Sequence, residues 1–274
     1  MTELANRRVV ACLDSSPSAE VVLTTAANVA TSLHAVLDVI TVRAPGESSA
    51  DEPVLSAHGE SLLSAAHVRT LVGPIEDTLV AELAHDDVIV GVLGSRALSA
   101  APELFGHVAR AVVTRSRRTL IVIPPGAAPL TGSGQRFLVP LDGSGRTSRA
   151  VSAVLADLVE PLGTVVPVHV FDRERVPMFV SSSQDQAVIA DEFAARHLGS
   201  SVSRAERPRL RVGDPGQAIL AAIGRDEADA VVVCWSQHLG TGRAAVIRAL
   251  LTHGGVPVIL QPLDAGRSAD PRSG

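Results

Sequence analysis

Short runs of apolar residues alternate along the chain with segments in which apolar residues recur every three or four positions. Arg8–Asp14, Ala35–Val42 and Asp87–Leu93 are typical of the apolar runs. Such runs predict strands that are buried on both faces, and the segments between them predict amphipathic helices. The segments Pro45–Gly59 and Pro177–Gln186 show neither pattern and are interpreted as surface excursions. Strands that alternate with helices indicate an α/β fold, with an open parallel sheet and helices on both faces.

The same arrangement returns in the second half of the chain. RVVACLD at Arg8–Asp14 is matched by RFLVPLD at Arg136–Asp142, and small polar residues that can begin a helix follow each of them. The most apolar strands also correspond, at Asp87–Leu93 and Ala230–Cys234. An internal repeat of this length predicts two repeated open parallel-sheet domains within one chain.

Composition along the chain suggests the domain boundaries. We expect a first domain over residues 1–125 and a second domain over residues 136–264. Residues 126–135 are rich in Pro, Gly, Ala and Ser and are predicted to be a linker. Residues 265–274 are predicted to be a flexible tail.

Overall composition excludes several functions. Aromatic residues make up only 2% of the 274 positions, so the core must be aliphatic. All 24 basic residues are Arg, which excludes a P-loop lysine, a Schiff-base lysine and a lysine general base. A net charge of −5 and few aromatic rings make the chain a poor candidate for nucleic-acid binding.

Cysteine content and hydropathy indicate the compartment. Cys12 and Cys234 are too few for a disulfide framework or a closed zinc site. The first residues do not resemble a signal peptide, and no uninterrupted apolar run approaches the ~18 residues of a membrane span. We therefore expect a cytoplasmic protein that has no membrane partner.

The predicted sheet also indicates where a ligand would bind. Ligands of open parallel sheets lie beyond the carboxyl ends of the strands, where the strand order reverses. In the first half, Asp14 and the loop Gly94-Ser95-Arg96 should lie at this edge, and small residues before a helix offer N–H groups to a phosphate. Asp14 and Asp142 could accept from a ribose hydroxyl or a base amine, or could instead cap their own helices. The sequence leaves both interpretations open.

Five motifs add information beyond the hydrophobic pattern. They are VPLDGSGRT at Val139–Thr147, VGDPGQAIL at Val212–Leu220, LGSR at Leu93–Arg96, FGHVARAVV at Phe105–Val113 and VPVIL at Val256–Leu260. Their order and spacing resemble the universal stress protein family in its tandem two-domain form. The resemblance implies a strand order of 3-2-1-4-5 in each domain, with the two domains paired through their last strands. It also implies a protein without catalytic activity of its own.

Many relatives in that family bind ATP through a loop of the form G-x2-G-x9-G-[ST], and both halves depart from it. In the first half, Ala97 replaces the second glycine, and the third glycine corresponds to Gly106, followed by His107. In the second half, Cys234 and Gln237 replace the first two glycines. We therefore interpret the turn at Asp142, Gly143 and Ser144 as a vestigial site.

The resemblance thus implies an adenine nucleotide, ATP together with Mg²⁺, as a regulatory ligand of the first domain. The residues that would bind it are Asp14, Val42, Gly94, Ser95, Arg96, Gly106 and His107. The alternative interpretation is an interaction scaffold that binds no nucleotide and whose degenerate loops only close the fold. We further expect a homodimer, because symmetric dimers are common, and protein partners that the sequence does not identify.

Three other chemistries have weaker support. The Gly143 turn partly matches the dinucleotide fingerprint G-x-G-x-x-[GA] of an oxidoreductase, but Ser148 occupies its last position. Cys234, His238 and His253 lack the further carboxylate or thiolate that a metal site requires, so no metal is expected. There is also no G-x-S-x-G elbow for serine catalysis.

Overall fold

The computed structural model describes residues 7–46, 53–95, 106–171, 183–198, 205–238 and 243–263. Strands β1–β5 span Arg8–Cys12, Val36–Arg43, His67–Val72, Val88–Gly94 and Thr119–Ile123, and β6–β10 span Gln135–Leu141, Gly163–Phe171, Arg209–Val212, Ala230–Trp235 and Val258–Pro262. Helices α1–α4 span Ala19–Ser32, Ala57–Ala65, Ile75–Leu83 and His107–Arg115, and α5–α8 span Gly145–Val154, Ser183–His197, Pro215–Arg225 and Arg243–His253. The predicted tail lies outside the described residues.

All ten strands form one sheet in the order β3-β2-β1-β4-β5-β10-β9-β6-β7-β8. Each half therefore has the predicted order 3-2-1-4-5, and its own strands are parallel. The halves meet where β5 pairs antiparallel with β10, with Ile121 opposite Ile259. The predicted α/β fold and the pairing through the last strands are thus confirmed.

The sheet separates two aliphatic layers of core. On one face, buried residues of α1 and α5, such as Val22 and Val151, pack against the strands. On the other face, α3, α4, α7 and α8 do the same, for example through Leu83 and Leu250. The scarcity of aromatic rings leaves both layers to Val, Leu, Ile and Ala, as the composition predicts.

Two helices occupy segments where the sequence suggested surface excursions. Helix α2 begins within Pro45–Gly59, and α6 begins within Pro177–Gln186. Of the nine residues of α2, only Gly59 is buried. The sequence of this helix therefore shows almost no periodic pattern of apolar residues. Ser56 caps its amino end by accepting a hydrogen bond from the Gly59 N–H. A π-helical turn at Leu155–Val159, which extends α5, was not predicted either.

The segment predicted to be a linker packs against the first half. Ala127 and Leu130 are buried, and β6 already begins at Gln135. The Asn28 side chain of α1 donates to the Leu130 carbonyl at 2.7 Å, and the Leu130 N–H donates to Thr25 Oγ1 at 3.3 Å. The chain therefore crosses between the halves along α1.

A buried ionic network lies at the amino ends of the first-half strands. The guanidinium of Arg8 binds Asp38 at 2.5 Å, Glu82 at 2.8 Å and Asp87 at 2.7 Å. Arg69 binds the same two carboxylates, Asp38 at 2.6 Å and Glu82 at 2.5 Å. Burial alone would raise the pKa of Asp38, but hydrogen bonds from Arg69 and Arg8 hold it below its ordinary value. The network joins the amino ends of β1, β2 and β3 to the end of α3.

The second half carries a related but more exposed cluster. Arg136, which corresponds to Arg8, binds Glu206 at 2.7 Å through its guanidinium, and its N–H donates to the Asp229 carboxylate. Arg209 binds the same Glu206 at 3.0 Å and approaches Asp226 at 3.5 Å. Arg209, at the start of β8, thus has two acidic partners.

The first prediction concerns the buried anion of the first network. We expect Asp38→Asn to lower the free energy of unfolding by about 2–3 kcal/mol at pH 7, because Arg8 and Arg69 would lose a buried counter-charge. Asp191→Asn, which breaks an exposed pair with Arg207, is the matched control and should change it by no more than about 0.5 kcal/mol. Urea unfolding measures both, and equal effects would contradict the importance of the network.

The same network predicts the acid limb of stability. The pKa values of Asp38 and Glu82 are lowered in the folded state, so their contribution is complete above their ordinary values of 3.8 and 4.5. This contribution to stability is lost as the pH falls below those ordinary values and through the lower pKa values of the two carboxylates in the folded state. The difference in unfolding free energy between the parent chain and Asp38→Asn should therefore shrink below about pH 4.

A second prediction tests the close approach of β6 and β7. An added Cβ at Gly163 would lie 1.9 Å from the Gln135 carbonyl oxygen, so Gly163→Ala must displace the backbone. We expect a loss of at least about 2 kcal/mol in unfolding free energy. Gly224→Ala is the control: its Cβ would meet nothing within 4 Å, and Ala should stabilise α7 by about 0.5–1 kcal/mol. Thermal unfolding of both variants measures the contrast.

Candidate functional site

The first-half site lies where the carboxyl ends of β1, β2 and β4 meet. Cys12 pairs with Ile40 on one side and with Leu93 on the other, which places Asp14, Val42 and Gly94 along one edge of the sheet. The carboxylate of Asp14 is exposed and accepts a hydrogen bond from the Ser16 N–H at 3.0 Å. Asp14 thus shapes the turn after β1 and still presents oxygen atoms to solvent. Arg96, also predicted to contact phosphate, lies outside the described residues.

Ser95, directly after β4, has an unusual environment. Ser95 is almost fully buried, at 1% exposure, and among the residues that the structure describes its hydroxyl has no hydrogen-bond partner. Its N–H donates to the Ile123 carbonyl at 2.8 Å, and its own carbonyl accepts from the Gly106 N–H at 2.9 Å. A buried hydroxyl without a partner is costly, and such groups in native proteins are often explained by a missing water, ion or ligand.

The remaining predicted residues of the first half are less free to bind a phosphate. The Gly106 N–H is used by the Ser95 carbonyl. His107, at the start of α4, pairs through its Nδ1 atom with Glu76 of α3 and is otherwise exposed. The structure brings Gly106 next to Ser95 and gives His107 an acidic partner that the sequence did not reveal.

In the second half, the turn after β6 repeats the first. The Asp142 carboxylate accepts from the Ser144 N–H at 3.0 Å, as Asp14 does from Ser16. Ser144, rather than Asp142, caps α5, because its hydroxyl accepts from the Thr147 N–H at 3.2 Å. Gly143 has a φ of +76°, which favours glycine at this position. The carboxylates of Asp14 and Asp142 thus organise the turns that precede the two helices.

The other wall of the second-half site differs strongly from the first. Strands β6 and β9 pair only at Phe137–Ala230 and Leu138–Val231, and the ladder ends before Pro140, which has no N–H to donate. Beyond β9, Gln237 adopts a φ of +63°, and its side-chain amide donates to the carbonyls of Val113 and Ser116 at the end of α4. The loop that would hold phosphate in the second half is thus tied to the first half.

A cluster of aromatic rings beside Gly143 was missed in the sequence. The ring centroids of His169 and Phe193 lie 4.5 Å apart, as do those of Phe193 and His197. His169 Nδ1 lies 2.7 Å from the Leu141 carbonyl, and His197 Nδ1 lies 3.0 Å from the hydroxyl of Ser148. His169 belongs to β7, and Phe193 and His197 belong to α6. No local sequence motif indicates that these three rings are in contact.

Comparison with known proteins fits this geometry. Residues 134–262 match the model of the universal stress protein family. The second half of this chain is a universal stress protein domain. No curated protein sequence matches the chain.

Solved structures extend the likeness to both halves. A structure described as a universal stress protein, from Pseudomonas aeruginosa, has a TM-score of 0.64 at 11% identity, covering 96% of this chain and 95% of its own. A universal stress protein from Archaeoglobus fulgidus has a TM-score of 0.59 at 16% identity, covering 94% and 97%. At these identities the likeness shows the fold, which the first half therefore shares with the universal stress protein domain.

Cys234, near the end of β9, is a buried side chain. Burial raises the pKa of the Cys234 thiol to about 12, so this side chain stays protonated near neutral pH. Among the described residues, no group of three or more His, Cys, Asp or Glu side chains could hold a metal ion. In the same parts of the chain, no helix has both the length and the hydrophobicity needed to cross a bilayer.

A prediction follows for the aromatic cluster of the universal stress protein domain. Burial, the charge of Arg196 and the proximity of His169 lower the pKa of His197 below its ordinary value of 6.5. Arg196→Gln should raise the pKa of His197, because it removes a like charge. Arg225→Gln, an exposed arginine of α7, is the control and should leave it unchanged. Titration followed by NMR measures both, and an unchanged pKa in Arg196→Gln would contradict the assignment.

Proposed function

We propose that the chain is a non-catalytic regulatory protein that binds an adenine nucleotide at the carboxyl edge of its first half. The observation that carries this proposal is the buried Ser95 hydroxyl directly after β4, which has no hydrogen-bond partner within the described ranges. It lies beside the edge that holds the exposed Asp14 carboxylate, where ligands of open parallel sheets bind. The family resemblance of the motifs supports ATP with Mg²⁺ as the ligand.

Each residue has a stated role in this proposal. The Asp14 carboxylate would accept from a ribose hydroxyl or the base amine, and Val42 would flank the adenine. The Ser95 hydroxyl would donate to a phosphate oxygen, with Gly94 allowing the close approach. Because no Lys is present, Arg96 would supply the positive charge. Binding would favour one association state of the protein over another, without chemical turnover of the nucleotide.

A specific observation favours the alternative, an interaction scaffold without nucleotide. The N–H groups of Ser95 and Gly106 both donate to backbone carbonyls, and His107 pairs with Glu76. Backbone donors that are already used cannot bind a phosphate without a rearrangement of the loop. The alternative also explains why the corresponding loop of the second half is anchored through Gln237.

The deciding experiment uses the purified full-length chain. The protein is denatured, the supernatant is chromatographed for adenine nucleotides, and thermal unfolding is recorded with and without ATP–Mg²⁺. At about 100 times its Kd, a ligand should stabilise the native state by ~2.7 kcal/mol. We expect co-purified nucleotide or a clear thermal shift; a nucleotide-free protein without any shift would support the scaffold instead.

Variants locate the site. Asp14→Asn should reduce the ATP-induced shift, whereas Asp142→Asn, at the corresponding position of the second half, should leave it unchanged. Both carboxylates make the same turn contact, so the two variants should lose similar stability without ligand. Ser95→Ala should weaken binding while changing unfolding free energy by no more than about 1 kcal/mol, since no hydrogen bond is lost. Unchanged affinity in Ser95→Ala and in Gly94→Val would overturn the proposed site.

A further inference from the structure

A second candidate binding region lies away from the carboxyl edge of the first half. A cleft of about 860 Å³ separates helix α5 from the amino ends of β4 and β5. Val88, Ile89 and Thr119 line it from the first half, and Leu263, just after β10, lines it from the second. It exists because β10 runs antiparallel to β5, which brings the carboxyl end of one strand to the amino end of the other.

The internal repeat relates this cleft to a groove in the first half. In the first half, the corresponding groove beside α1 is occupied by the chain itself, where Leu130 is buried and bonded to Thr25. In the register in which Asp14 corresponds to Asp142, the counterpart of Thr25 is Ala153, which lines the cleft. Alanine cannot make the corresponding hydrogen bond. Among the described residues, the two halves therefore differ at this position of the groove.

The divergence concentrates positive charge in the cleft. Its lining contains five arginines: Arg7, Arg117, Arg118, Arg146 and Arg149. By the register of the internal repeat, the corresponding positions of the other groove are Gln135, Gly255, Val256, Ser18 and Val21, in the same order. None of those counterparts is basic. The cleft thus concentrates five arginines in a chain whose net charge is −5.

Acidic residues of the cleft neutralise only part of this charge. Asp86 binds Arg118 at 2.8 Å, and both oxygens of Asp87 are used by Arg8, which does not line the cleft. Within the described part of the chain, Arg7 and Arg117 make no hydrogen bond or ion pair through their side chains. Asp157 is the remaining acidic residue in the lining. Guanidinium groups from both halves thus surround one concave space.

We propose that this cleft binds a polyphosphate group, with Arg7 and Arg117 of the first half and Arg149 of the second as its contacts. Guanidinium groups donate paired hydrogen bonds to phosphate oxygens, and a chain of phosphates can satisfy several arginines at once. The group could be inorganic or part of a nucleoside polyphosphate, since both present the same oxygens. Occupancy would link the two halves across their junction.

Titration calorimetry of the full-length chain with sodium tripolyphosphate at low ionic strength tests the proposal. We expect saturable binding of one ion per chain, weakened by added salt because the contacts are ionic. Arg117→Gln and Arg149→Gln should each weaken binding about tenfold. Arg225→Gln removes an exposed arginine outside the cleft and should leave the affinity unchanged. Absence of binding, or equal affinity in all three variants, would overturn the proposal.

Two further measurements separate this site from the proposed nucleotide site. Gly94→Val should bind tripolyphosphate as the parent chain does; loss of binding there would place the anion at the first-half edge and refute the cleft. In the Gly94→Val background, ATP that binds more tightly than tripolyphosphate would identify a nucleoside polyphosphate as the ligand. Equal affinity would identify the phosphate chain alone.

Discussion

The antiparallel pairing of β5 with β10 is the contact on which the rest of the architecture depends. Each five-stranded half would otherwise end in an apolar strand with unpaired backbone groups, which invites aggregation. Strand β10 pairs with β5 through Val258, Ile259 and Leu260, so the backbone groups of each edge strand find hydrogen-bond partners in the other. Because this pairing is antiparallel, the carboxyl edges of the two halves face opposite ends of a single ten-stranded sheet.

Arginine holds together the amino edges of both halves. Arg8 and Arg136 occupy corresponding positions at the start of the first strand of each repeat, and each binds carboxylates from other elements. A guanidinium suits this role because its planar fork donates several hydrogen bonds at once and stays charged when half-buried. The network in the first half encloses Asp38 completely, whereas the one in the second half remains open to water. Both halves thus contain an arginine–carboxylate network at the start of their first strand, but the network of the first half is more buried.

The carboxyl edges have diverged further. In the first half, β1 and β4 remain paired up to Cys12 and Leu93, next to the buried Ser95. In the second half, Pro140 ends the ladder early, and Gln237 ties the following loop to α4. The carboxyl edge of the first half therefore contains a buried serine hydroxyl, whereas that of the second half is tied to the first half through Gln237. The two halves thus share a fold but differ in the local residues on which a binding site depends.

The sequence by itself determined the fold class and the repeat, because continuous apolar runs and their spacing are local properties. The strand order within each repeat was implied by the family resemblance of the motifs. The sequence also placed Asp14, Val42 and Gly94 at one edge, since parallel strands align their carboxyl ends. It did not reveal α2, whose residues are nearly all exposed, nor the meeting of His169, Phe193 and His197. Partners of charged groups, such as Glu76 for His107, and the arginine-lined cleft between the halves depend on contacts between distant segments. Only the tertiary structure decided these, because side chains far apart in sequence leave no periodic signal of their proximity.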